Sequence, residues 1–285
     1  MAGLAFDVGM NVGHDTDFYL SQGFRVVAVE ANPVLAEAAA RRFHRAIGAG
    51  MLEIVNAGIA ENDGAADFWV CEGKPEFSSF HRAIASREGY GHHAIQIPTV
   101  RFATLIDRFG TPDVLKIDIE GNDRLCLEAL SPSALPQFVS VESECTTAET
   151  AGDAEGGLRT LAMLHDLGYR KFKLIDQLTF ASLAVPSFNH LLDSLARNVL
   201  LEAPLRAVPG TYRLSQYLMV KPRLERRFGR EFPLGSSGAI GNDTPGRWIG
   251  YAEAARAYRH YRARHFRNGA ARHWSFWCDW HAMRG

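Results

Sequence analysis

The chain has 285 residues, 47% of them hydrophobic, enough for one sizeable α/β core or a core with a cap. Its formal net charge is −1, so no global field draws it to nucleic acid or to an anionic membrane. Cys71, Cys126, Cys145 and Cys278 show no paired spacing, and no apolar run is long enough for a bilayer span; this argues against a disulfide scaffold and a helical membrane protein and points to a reducing cytoplasm.

Residues 4–8 read as a short buried strand. Gly9 and Gly13 break it in FDVGMNVGHDT (6–16), and His14, Asp15 and Thr16 open a helix over 14–22. With a strand starting this early, no secretory leader is expected. A glycine-rich strand-to-helix turn lets a ligand approach the backbone closely. Asp7 sets the chemistry. A dinucleotide turn must receive a pyrophosphate, and a carboxylate just before the first glycine repels one. The same carboxylate suits a ligand with an ammonium and a sulfonium, and S-adenosylmethionine carries both. Residues 25–30, RVVAVE, read as a second strand ending in an acid, and Asn32-Pro33 turns the chain into an alanine-rich helix over 34–47. Glu30, about twenty residues after the turn, stands where an acid accepts hydrogen bonds from ribose hydroxyls. Alone, Asp7 reads as a turn acid and Glu30 as a surface acid. Their spacing on a strand–turn–helix–strand pattern points to a nucleoside cofactor.

Further strands are expected at 51–56, 66–71, 113–119, 138–143 and 170–176, and helices at 122–130 and 156–168. The alternation predicts an α/β fold: a Rossmann-like, doubly wound, mostly parallel sheet with helices on both faces, plus C-terminal insertions. YLMVK (217–221) is expected as the last, antiparallel strand. Residues 72–104, rich in Gly, Ser and His, interrupt the alternation. So does 177–250, an inserted substrate-covering region within a single domain over 1–285. It ends in the glycine-rich loop GSSGAIGNDTPG (235–246), which has two readings, a wall of the substrate pocket or a surface turn network. The tail, 251–285, is expected to be helical, because Tyr251, Ala255, Tyr258, Tyr261 and His265 recur near helical spacing. Its arginines suit RNA or an acidic substrate, but the rest of the chain adds no basic field. A helix packing its aromatics and solvating its arginines is the preferred reading, with no nucleic-acid or membrane partner.

Open α/β sheets bind ligands at the carboxyl ends of their strands. Asp7, Glu30, Asn56, Asp118 and Glu142 all fall near such ends, so they converge on one crevice. Asp118 and Glu120 in IDIEG are two residues apart and share a side if the strand stays extended. One would position the cofactor's amino group or a substrate hydroxyl while the other takes a proton. Glu120 serves equally as a cap for the following helix. Glu142 and Glu144 extend an all-oxygen cluster of the kind that suits Mg²⁺, which leaves a divalent metal open. His81, His92 and His93 offer another base, or are plain exposed histidines.

FDVGMNVGHDT, VVAVEANP (26–33), NAG (56–58) and LKIDIEGND (115–123) resemble, in that order, the motifs of FkbM-type methyltransferases, which are class I S-adenosylmethionine-dependent enzymes. The resemblance spans residues 4 to about 176 and continues more weakly in 235–248. It implies transfer of a methyl group to a hydroxyl of a sugar-like or natural-product small molecule. It implies a cofactor site at Asp7, Gly9, Asn11, Gly13, Thr16, Glu30, Asn32, Asn56, Ala57 and Asp118, with Ala57 and Gly58 beside the adenine. Asp118, Glu120 and Glu142 are the catalytic candidates. Many class I enzymes carry substrate helices before the first strand, and here those elements are expected from the later insertions. Two other readings compete. An NAD-dependent sugar-modifying oxidoreductase is opposed by Asp7 and by Asn11 and His14, which break G-x-G-x-x-G. A non-catalytic cofactor-fold module is opposed by the retained acids.

Overall fold

The computed structural model describes residues 3–143, 155–184, 211–267 and 276–285. In chain order the strands are β1 (Leu4–Val8), β2 (Arg25–Val29), β3 (Leu52–Val55), β4 (Gly58–Ile59), β5 (Gly64–Cys71), β6 (His92–Val100), β7 (Val114–Ile117), β8 (Phe138–Glu142), β9 (Tyr169–Asp176) and β10 (Cys278–Arg284). The α-helices are α1 (His14–Ser21), α2 (Pro33–Arg42), α3 (His44–Gly48), α4 (Arg82–Ala85), α5 (Phe102–Phe109), α6 (Asp123–Glu128), α7 (Gly156–Leu167), α8 (Thr211–Phe228) and α9 (Tyr251–Arg267).

Seven strands form one sheet in the order β3-β2-β1-β7-β8-β10-β9, parallel throughout except β10, which runs antiparallel to both β8 and β9. This is the expected Rossmann-like, doubly wound sheet. The chain winds outward from β1 to β3 and then returns to place β7 on the other side of β1. That reversal opens a crevice at the carboxyl ends of β1 and β7, where such sheets hold ligands.

The two faces differ in chemistry. Phe6, Val8, Leu115, Ile117, Val139 and Val141 face one way and pack under α5, α6 and α7 in a wholly apolar core. Ala5, Val26, Ala28 and Val114 face the other way, toward Phe18, Tyr19, Leu224 and Phe232. That second face also carries a row of polar partners across four strand pairings: Asp7 opposite Lys116, Lys116 opposite Ser140, Ser140 opposite His281, and His281 opposite Lys173. All five are buried. Ser140 donates its hydroxyl to Asp279, and the His281 ring lies within hydrogen-bonding distance of Ser140 and Thr244. Lys173 donates to the carbonyl oxygens of Gly241 and Thr244.

Several expectations change. The strand expected at 66–71 is β5, and it belongs to a separate three-stranded sheet, β4-β6-β5. Residues 72–104 hold β6, whose Ile95 and Ile97 alternate with Gln96 and Pro98. YLMVK is no strand: it lies inside α8, whose Leu224 and Phe228, one turn apart, pack on the cluster around Phe18. The antiparallel closing strand is β10, in the tail expected to be helical. The tail is helical only over α9; β10 is inserted between β8 and β9 and is buried on both faces, so its sequence CDWHAMR shows no clean alternation. The helix expected over 34–47 is broken at Phe43 into α2 and α3. Among the described residues, no helix is long and apolar enough to cross a membrane.

Candidate functional site

The glycine turn after β1 folds onto β2 and β7. The amides of Gly9 and Met10 donate to Val29 O, and the amide of Asp118 donates to Val8 O. Gly9 has φ 87°, and a Cβ there would sit 1.8 Å from Asp118 O. Only glycine brings the two loops this close. Asn11, at φ 50°, donates its amide to Glu30 Oε2 at 2.7 Å, and Asn32 donates its amide to Glu30 Oε1 at 2.8 Å. Glu30 therefore ties the first turn to the start of α2. Burial raises its carboxyl above the usual range, against the pull of those two amides.

Two cavities meet at this junction. A narrow slot of about 60 Å³ is lined by Glu30, Ala31, Ala57, Gly58, Ile59, Phe68 and Phe80. A larger cavity of about 470 Å³ is lined by Met10, Asn11, Asp15, Phe77, Lys116, Glu142, Leu234 and Trp277, among others. Gly9, Pro75, Glu76, Asp118 and Glu120 line both. The slot is walled by the apolar Ala31, Ala57, Ile59, Phe68 and Phe80 with Glu30 beside them, and by the shared acids Glu76, Asp118 and Glu120 where it meets the larger cavity. The larger cavity is rich in carboxylates.

Glu120 sits at φ 53°, so β7 does not stay extended to it. Its carboxylate pairs with Arg87 at 2.8 Å, and its carbonyl accepts the Ser79 hydroxyl at 2.6 Å. Burial pushes Glu120 up to about 7, with Arg87 opposing. The N-cap of α6 is instead Asn122, which makes no side-chain capping bond, and Asp123, the first residue of the helix, accepts the amides of Ile119 and Gly121 in the loop before it. Glu142 is raised well above the carboxylate range, by burial first and then by Glu120 and Asp118. Burial also pushes Asp15 up to about 7 against the pull of Lys116, and Asp15 accepts the Ser237 amide at 3.0 Å.

Of the residues expected at the site, Gly9, Asn11, Glu30, Ala57, Asp118, Glu120 and Glu142 line the joined cavities. Asp7, Gly13, Thr16, Asn32 and Asn56 stand behind the lining. Asp7 is fully buried, accepts the Thr16 hydroxyl at 2.7 Å and pairs with Lys116 at 3.2 Å. It holds a cation that belongs to the chain itself. Gly13 starts α1, Asn32 caps α2 through the Val34 amide, and Asn56 donates to the carbonyl of Glu30. His81 leans on Asn122, His92 on Arg82, and His93 on Glu72, all outside the two cavities. Among the described residues, no group of three or more His, Cys, Asp or Glu is placed to hold a metal ion. Glu144 lies outside the described residues.

Sequence reasoning offered the segment between β5 and β6 only as a second choice of wall, over Ser78 to His93: Lys74, Pro75, Glu76, Phe77, Arg87 and Glu88 all line the large cavity. It missed Lys116, whose signal was a lone charge between Leu115 and Ile117 in a strand with no exposed face. Of the glycine-rich loop, Gly235 lines the cavity next to Leu234. Ser236, Ser237, Ala239 and Thr244 are buried in the fold.

The family model described as "Methyltransferase FkbM domain" matches residues 7–171, more than half of the chain. No curated protein matches the chain. Among solved structures, it is similar to a precorrin-6y C5,15-methyltransferase from Geobacter metallireducens (14% identity, 61% of this chain and 69% of that one, TM-score 0.33). It is similar to an O-methyltransferase from Bacillus cereus in complex with SAH (15%, 61% and 67%, TM-score 0.35). It is also similar to the O-methyltransferase TomG from Streptomyces achromogenes in complex with SAM (18%, 61% and 66%, TM-score 0.34). At these scores the fold assignment rests on the strand order itself.

Proposed function

The chain belongs to the FkbM methyltransferase domain family and is an S-adenosylmethionine-dependent methyltransferase; from that premise we propose that it methylates a hydroxyl oxygen of a sugar-like or natural-product small molecule. One observation carries the reading. A slot walled by Glu30, Ala57, Gly58 and Phe80 runs, past Gly9, Asp118 and Glu120, into a cavity of about 470 Å³ that Glu142 also lines.

The residues fit the cofactor. Glu30 would accept the ribose hydroxyls, Ala57, Gly58 and Phe80 would enclose the adenine, and the Gly9–Asn11 turn with Asp118 would hold the methionine end. When bound, S-adenosylmethionine supplies an electrophilic methyl group on a sulfonium that leaves with the electron pair. The protein's task is to orient an acceptor hydroxyl and take its proton. Glu120 is suited to the proton: a base works best when its pKa lies near the working pH, and a positioned base contributes roughly 10²–10⁴-fold. Arg87 fixes its carboxylate. Burial, with Glu120 and Asp118 nearby, raises Glu142 and so favours its neutral form, which would donate to the acceptor. Phe77 and Trp277 offer apolar faces to the acceptor's carbon skeleton.

The test is a thermal-shift series with S-adenosylhomocysteine and NAD, followed by a methyl-transfer screen over hydroxylated acceptors. Stabilisation by S-adenosylhomocysteine alone, with product methylated on oxygen, is the expected result. Stabilisation by NAD alone, or methylation only of nitrogen or carbon, contradicts it.

A further inference from the structure

Lys116 lies in the middle of β7 and is 3% exposed. A buried ammonium needs partners on every side. Here they come from four places. Its Nζ donates to Gly9 O at 2.6 Å and stands 3.2 Å from Asp7, 3.9 Å from Asp15 and 3.8 Å from Asp118. These partners belong to the glycine turn, to β1, to the first turn of α1 and to the end of β7. Burial pulls the lysine's pKa down, and Asp7, Asp118 and Asp15 together lift it above the ordinary lysine value, so it is a fixed positive charge.

Of its three carboxylates, Asp118 is the most open to a ligand, although Asp15 also touches the large cavity. The Asp7 side chain is wholly buried and that of Asp15 is 4% exposed, whereas that of Asp118 is 33% exposed and lines both cavities. One cation thus faces three acids, and the most exposed of them stands where the slot meets the larger cavity. Asp118 is 3.8 Å from Lys116 and keeps a third of its side chain open to the cavity.

We propose that Lys116 is a positioning residue of the cofactor site: it pins the Gly9 carbonyl and the two inner carboxylates and holds Asp118 turned to the cavity, where Asp118 receives the ammonium of the cofactor's methionine end. The inference rests on the cofactor reading above. It takes the ammonium away from Asp7, which holds the internal cation, and assigns it to Asp118.

The test compares two ligands by titration calorimetry. S-adenosylhomocysteine has the amino-acid end; 5′-methylthioadenosine has the same nucleoside thioether without it. In Lys116→Met, S-adenosylhomocysteine affinity is expected to fall at least about tenfold while methylthioadenosine stays within about threefold of wild type. Asp118→Asn leaves the lysine in place and is expected to show the same split, so it decides the matter if Lys116→Met does not fold. Lys116→Arg, which keeps the charge, should recover part of the loss. Equal losses for both ligands in a folded variant, or no loss for S-adenosylhomocysteine in either Lys116→Met or Asp118→Asn, overturn the inference and leave the cofactor reading intact. Wild-type protein that binds neither ligand overturns the cofactor reading and the inference with it.

Discussion

Glu30 shows how one side chain serves structure and ligand together. Its two oxygens already accept the amides of Asn11 and Asn32, so truncation to alanine would loosen both turns. Glu30→Gln is the cleaner probe. It keeps one acceptor and removes the charge, and S-adenosylhomocysteine binding should weaken by roughly 1.5–3 kcal/mol. Unchanged affinity by calorimetry would remove the ribose role. Asp118→Asn should lower turnover by about 10² or more while the fold persists. Glu120→Gln separates base from cap. The N-cap of α6 is Asn122 and Glu120 pairs with Arg87, so turnover should fall by a larger factor than any loss of melting temperature and of the Arg87 pair alone accounts for. Glu120 titrates near 7 and a base must be ionised, so wild-type turnover should rise with pH through about 7 and the glutamine variant should lose that limb. A pH profile unchanged by the substitution rules Glu120 out as the base.

At this scale the sequence was legible where spacing constrains chemistry. Gly9, Glu30, Asp118, Glu120 and Glu142 come together at the joined cavities because strand ends in a parallel sheet converge. Asp7 was read as a ligand group and is an internal one. The difference lies in Lys116, whose register partner is Asp7 across two strands 109 residues apart in sequence. No local pattern reveals such a pairing.

Among the elements, the hidden one is β10. Strands β1, β2, β7 and β8 were readable as apolar runs. β10 carries Asp279 and His281 on the polar face of the sheet, and hydropathy does not flag it. Yet Trp280 is fully buried, donates to Gly157 O at 2.8 Å and packs on Tyr258. Trp280→Ala should cost about 3–5 kcal/mol in denaturant unfolding. A loss below about 1 kcal/mol would mean that β10 adds little to the core. The glycine-rich loop is a second correction. Ala239 belongs to the core beside Phe180 and Phe232, and Ser237 donates to Asp15. Deleting 236–241 should therefore lower the melting temperature, and S-adenosylhomocysteine affinity with it. A loop serving only as an acceptor wall would leave both nearly intact.

Across the whole molecule, the polar face of the sheet ties stability to pH. Burial, helped by Asp118, pushes Asp279 up to about 7, against hydrogen bonds from Gln177 and Ser140. The folded state thus holds this proton more tightly than the unfolded chain. Its stabilising contribution is complete below the unfolded carboxylate pKa near 4 and is lost as pH rises through about 7. Asp279→Asn removes the titration. The gap in melting temperature between variant and wild type should move in favour of the variant from pH 5 to pH 8. A constant gap across that range contradicts the assignment. The global fold was read correctly because alternation fixes the class, whereas the small sheet and the β10 insertion depend on long-range pairing.

The most direct single measurement is a crystal structure with S-adenosylhomocysteine bound. The expected result places the ribose hydroxyls on Glu30, the adenine between Ala57 and Phe80, the amino group at Asp118, and the sulfur facing the space bounded by Glu120 and Glu142. A nucleoside bound away from Glu30, or a sulfur turned from those two carboxylates, contradicts the site described for this protein.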